Sequence, residues 1–124
     1  MKSNEEFRRE LISRSFKLAK RTIALVDKFP SKTAAQIIAT QLLRAITSIG
    51  ANIIEAQAAS SRKDFVNFLN HALKSGNESR FWLALAKDLD NKLVETIEEL
   101  IKETNELVKI LGASVSTIRG RKKL

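Results

Sequence analysis

Apolar residues recur every three or four positions along almost the whole chain, the spacing of one face of an α-helix. The first such stretch covers about residues 4–29. Phe7, Leu11, Leu18, Thr22, Leu25 and Phe29 form one stripe, and Ile12, Phe16, Ala19, Ile23 and Val26 widen it. Pro30 stops the helix, because the residue before proline is pushed out of the α region. Ser31 is placed to cap the next one. A second helix, about 32–58, has Ile38, Leu42, Ala45, Ile49, Ile53 and Ala56 as its seam, while Ile37, Leu43, Ile46 and Ile54 cover other sides. A helix apolar around most of its circumference is buried on more than one face, so a contact beyond the monomer's own core is expected.

Ser60 and Ser61 break the pattern, and Ser61-Arg62-Lys63-Asp64 reads as a capping box with Asp in place of the usual Glu. Helix three is predicted over about 61–89, with Phe65, Phe68, Leu69, Ala72, Ser75, Gly76, Ser79, Trp82, Ala86 and Leu89 inward. A second apolar stripe on it carries Val66, Leu73, Phe81 and Leu85. A polar turn at Asp88–Asn91 leads to helix four, about 93–118, with Ile97, Leu100, Ile101, Thr104, Leu107, Val108, Leu111, Val115 and Ile118 inward. Residues 119–124 read as a frayed basic tail. Short connections make sequential helices antiparallel neighbours, so the expected fold is all-α: a single-domain, antiparallel up-down-up-down four-helix bundle.

Composition narrows the function classes. At 124 residues the chain holds one domain with a core large enough to need no staple. It has no Cys, which excludes disulfides and Cys-based zinc sites. The start, MKSNEEFRRE, has no signal-peptide pattern, and no long charge-free apolar run follows, so a soluble cytoplasmic protein with no membrane partner is expected. Lys and Arg number 22 against 14 Asp and Glu, a net charge of +8. Such an excess favours RNA or DNA as a partner, the alternative being a merely soluble basic domain.

Three stretches carry a family resemblance: TSIGANIIEA (Thr47 to Ala56), SSRKDF (Ser60 to Phe65) and FLNHALKSGNESRFWL (Phe68 to Leu83). Together they resemble the small four-helix-bundle proteins encoded in intervening sequences of bacterial 23S ribosomal RNA genes. A related branch is similar to the accessory protein of diversity-generating retroelements, a basic bundle that works with a reverse transcriptase and its RNA. The resemblance implies a four-helix bundle assembled as a homopentamer, and no established chemistry. The chain departs from many members at Gly50, where they carry proline. Thr47, Ser48, Gly50 and Ala51 are small enough for another backbone to approach helix two closely.

Four groups of residues are candidate sites. Gln41, Arg44, Ser48, Asn52 and Glu55 step by three or four along helix two, and Glu78 matches an acidic position of the family. They form either a recognition constellation or, the reading adopted, a structural network in which Arg44 is buried against carboxylates. On helix one, Arg14, Lys17, Arg21 and Lys28 fall within about 60° of one another at roughly 100° per residue, an exposed track for phosphates or an ordinary solvated face. His71 is the lone histidine. It cannot supply the paired Glu-x-x-His motifs of a di-iron bundle, and no nucleophile-elbow or phosphate-cradling glycine motif is present. No metal, cofactor, small-molecule substrate or catalytic residue is therefore expected. Phe68, Phe81 and Trp82 lie at core spacing, which favours core or subunit interface over a base-stacking platform.

The fourth group comes from topology. Antiparallel order gathers the start of helix one, the helix two–three turn and the end of helix four at one pole. That pole collects Lys2, Arg8, Arg9, Arg62, Lys63, Arg119, Arg121, Lys122 and Lys123 against Glu5, Glu6, Glu10, Glu55 and Asp64. At the other, Lys28, Lys32, Lys87 and Lys92 balance Asp27, Asp88, Asp90 and Glu95. The expected function is a non-enzymatic, oligomeric bundle that binds RNA or DNA through a basic surface. The alternative is a structural protein–protein assembly module with no nucleic-acid ligand.

Overall fold

Four long helices form in the computed structural model, which describes residues 2–123 and the side chains of residues 2–120. They are α1 (Asn4–Val26), α2 (Thr33–Gln57), α3 (Arg62–Ala86) and α4 (Val94–Lys123), with a single 3-10 turn, Asn91–Leu93, before α4. No strand occurs among the described residues. Each helix packs on its chain neighbours and α4 closes back on α1, giving the antiparallel up-down-up-down bundle expected from the pattern. The α2–α3 contact is the most extensive of these, and the α1–α4 contact the least.

The inward stripes meet as one core of Leu18, Leu25, Leu42, Ile46, Ile49, Ile53, Leu83, Ile97, Leu100, Leu107 and Leu111. Ser15, Thr22, Ser79 and Thr104 are buried with them. Each hydroxyl donates to a carbonyl three or four residues back, so burial leaves none of them unpaired.

The helix ends refine the sequence expectations. Ser61 Oγ accepts from Asp64 N–H at 3.1 Å, as a capping box requires, while the Asp64 carboxylate accepts from the Ser60 hydroxyl at 3.1 Å. Ser31 does not cap α2: the N-cap falls on Lys32, and no side chain bonds the first turn. The α1 helix ends three residues before Phe29, because proline disfavours α geometry at the residue before it and the last turn tightens to bonds from Lys28 to Leu25 and Phe29 to Val26. Instead of fraying at 118, α4 runs on to Lys123. The side chains of Arg121, Lys122 and Lys123, and all of Leu124, lie outside the described residues.

Helix α2 runs unbroken through Gly50, where glycine keeps the N–H that proline would lack. A Cβ there would sit 3.1 Å from Ser15 Oγ, so the small residue lets α1 approach. By length and composition α2 is apolar enough to cross a membrane. Here it lines the core with seven buried residues. Ile37 and Ile54 are each 55% exposed, however, so its excess apolar character is not absorbed by the monomer.

Candidate nucleic-acid interface

Two of the four cations of the predicted helix-one track, Arg14 and Arg21, are ion-paired, while Lys17, Arg21 and Lys28 are exposed. Helix α4 turns Glu99, Glu103 and Glu106 toward α1. Arg14 grips Glu103 with two bonds, Nε to Oε2 at 2.9 Å and Nη2 to Oε1 at 2.6 Å, and reaches Glu106 at 3.3 Å. Arg21 pairs with Glu99 at 2.7 Å. The Glu103 hydrogen bond raises the Arg14 pKa above its already high value, so the charge there is permanent and neutralised in place. Lys17 stays exposed and makes no ion pair among the described residues. Arg14 and Arg21 tie α1 to α4, and the sequence reading missed this because their acidic partners lie 78 to 92 residues away.

The helix-two network is also smaller than expected. Ser48, Asn52 and Ser75 form a compact cluster: Asn52 Nδ2 donates to Ser48 Oγ at 2.9 Å and Ser75 Oγ donates to Ser48 Oγ at 3.0 Å. Arg44 and Glu55 are exposed and form no ion pair among the described residues, so the expectation of a buried, paired Arg44 does not hold. The reason is geometric. Each step of four residues turns a helix by about 40°, so the row from Arg44 through Ser48 to Asn52 winds from solvent into the α2–α3 seam. Glu78 is exposed and accepts from Trp82 Nε1 at 2.9 Å. His71 is exposed, and no group of residues suited to a metal ion occurs among the described residues. Phe68 and Trp82 pack against the core, whereas Phe81, edge-on to Trp82, is 57% exposed.

Three of the nine cations expected at one pole come together. The start of α3 and the end of α4 bring Arg62, Lys63 and Arg119 together around one cleft of about 400 Å3, floored by Val66 and Ile118. No carboxylate lines it and none of the three cations is ion-paired among the described residues. Other charges of this pole are partly spent: Lys2 pairs with Glu10 at 2.5 Å, holding that carboxyl below its usual range, and Arg9 pairs with Glu5 at 2.9 Å. Arg8 donates only to the neutral Gln57, at 3.3 Å. Beside the cleft, between the start of α1 and the end of α4, lies a second cavity of about 570 Å3. It is mostly apolar, is lined by Phe7, Leu11, Phe65, Leu69 and Ile110 among others, and shares Ile118 with the cleft. Sequence reading missed this cavity, for it exists only where all four helices end together.

A family profile described as 23S rRNA-intervening sequence protein matches residues 8–113. A crystal structure of a protein with unknown function from the S23 ribosomal protein family of Bacteroides thetaiotaomicron superposes with a TM-score of 0.79 at 34% identity, over 88% of this chain and 97% of that one. Among curated proteins nothing matches.

Proposed function

The chain belongs to the 23S rRNA-intervening sequence protein family, and from that premise we propose that it is a non-catalytic, oligomeric bundle that holds RNA or DNA by charge at its basic pole. The observation that carries the reading is the cleft of Arg62, Lys63 and Arg119, which gathers three cations with no carboxylate among them. Phosphates are held by such clusters without base readout, and the affinity comes largely from released counterions. The helix-one cations are weaker candidates, because α4 already neutralises two of them.

Assembly is the second half of the proposal. Phe16 and Ile23 expose apolar surface on α1 and Phe81 and Leu85 on α3, while Ile37 and Ile54 do so near opposite ends of α2. Two unlike patches on one monomer favour a head-to-tail contact, which closes into a ring when the rotation fits. The family resemblance implies five copies, and a ring would repeat the basic pole around one rim. The role that fits is an accessory to an rRNA intervening sequence or mobile element.

Purification from cells with and without nuclease, followed by sequencing of what copurifies, tests the binding. RNA or DNA enriched over a lysate control supports it. A nucleic-acid-free oligomer whose behaviour nuclease does not change favours instead the structural assembly role that the exposed apolar patches also fit.

A further inference from the structure

We infer that the apolar cavity at the basic pole is a receptor for one unpaired nucleobase, with its flanking phosphates on the cations around the mouth. The inference rests on the nucleic-acid reading of the pole and narrows it, from any polyanion to a strand that can offer an extruded or unstacked base. The cavity's volume, about 570 Å3, is that of a small-ligand site. Phe7 and Phe65 enter it from two different helices. Phe7 lies on the inward stripe of α1 yet is 41% exposed, and it lines the cavity. Base faces stack on such rings whatever their sequence.

The polar groups favour a base over an aliphatic chain. Asn4, Gln57, Ser114 and Thr117 stand among the apolar walls, where hydrocarbon has no use for them and the edge of a base does. Ser114 Oγ donates to the Ile110 carbonyl and keeps lone pairs to accept with. Charge points the same way: Arg8 is at the wall, no carboxylate lines the cavity, and across Ile118 lies the cleft of Arg62, Lys63 and Arg119. A base seated here would therefore leave its backbone between cations on both sides. A base inside a duplex must first be unpaired and unstacked, at a cost that is least where it is already unpaired, so bulges and single strands are the favoured ligands.

The test is fluorescence anisotropy at one fixed salt concentration with three hairpin RNAs: one with a single bulged nucleotide, one fully paired, and one with an abasic residue at the bulge. Matching DNA hairpins separate the two sources of this chemistry, and a bulge preference in either series supports the receptor. The bulged hairpin should bind about tenfold tighter than both controls, since a stacked base is worth about 1–3 kcal/mol and tenfold is about 1.4 kcal/mol. Phe7→Ala should remove that preference while leaving the affinity for the paired hairpin unchanged, and Phe7→Trp should keep it. Ala113→Trp, which fills the cavity from an exposed wall position, should also remove it, and it does not depend on how α1 tolerates change. Equal affinity for bulged, paired and abasic hairpins overturns the receptor and leaves charge-based binding standing. A preference that survives both Phe7→Ala and Ala113→Trp overturns it too. If no hairpin binds, the receptor and the nucleic-acid reading fail together.

Discussion

Two cases show how far a residue's role depends on what faces it. Gly76 lies on the inward face of α3, and a Cβ there would come within 2.7 Å of Val108 Cγ2 on α4. Valine is stiff at χ1, so the helices must separate slightly to admit a methyl group. Gly76→Ala should therefore destabilise the protein by up to about 2 kcal/mol, overpacking of about 1–3 kcal/mol being offset by a propensity gain of nearly 1 kcal/mol. Thermal melts check this, and Val108→Ala in the same chain should make the pair cost less than the sum of the two single changes. Arg14 and Arg44 make a second comparison. Arg14 is gripped by Glu103, with the two side chains 27% and 28% exposed, whereas Arg44 meets no carboxylate. Arg14→Ala should lower stability by about 1 kcal/mol, the upper end for partly exposed pairs, and Arg44→Ala by less than about 0.5 kcal/mol when measured on the monomer. The sequence alone ranks them the other way. The row through Arg44 looks continuous in spacing, but helical drift takes only Ser48 and Asn52 into the seam.

At the scale of elements, the caps separate what local sequence determines from what it leaves open. The cap at Ser61 is fixed by residues three apart and forms as read, although the Asp64 carboxylate turns back to Ser60 and not to the Ser61 N–H. At the start of α2, Ser31 offered the same chemistry, but the turn after Pro30 moves the N-cap to Lys32. Ser61→Ala should accordingly cost about 1 kcal/mol, and Ser31→Ala only a few tenths, in paired denaturant titrations. Helix identity and order were legible because 3.6-residue periodicity is a local property with strong repetition. The α1–α4 seam was not legible. Its ionic stretch joins Arg14 and Arg21 to Glu99, Glu103 and Glu106, and toward the basic pole it gives way to Phe7, Leu11 and Ile110 around a cavity. Neither half can be read until topology puts the last helix beside the first. That topology follows from short loops, but the facing register does not.

For the whole molecule, the central matter is how a small basic bundle uses its surfaces. Antiparallel order alone sends the ends of α2 and α4 to the starts of α1 and α3, which is why the sequence suggested that cations from separate helices meet at one pole. It did not anticipate which cations remain unspent. Assembly through the apolar patches predicts that Ile54→Asp or Phe81→Asp lowers the mass seen by light scattering toward the monomer. Each would place an unpaired charge in the contact. Both residues are more than half exposed in the monomer, so its helix content should survive. A wild-type chain that is already monomeric at micromolar concentration would contradict the ring.

The most direct test of the account is the salt dependence of nucleic-acid binding, measured for the parent and for Arg62→Gln/Lys63→Gln/Arg119→Gln. The parent should bind unrelated RNA or DNA with an affinity that falls steeply as salt rises. The triple variant should bind more weakly, with a log–log slope shallower by about two to three, because each lost phosphate contact removes about 0.7–0.9. Lys87→Gln/Lys92→Gln, at the charge-balanced pole, should leave slope and affinity close to the parent's. A parent that does not bind, or a triple variant that keeps the parent's affinity and slope, would contradict the assignment of the basic pole as the nucleic-acid surface.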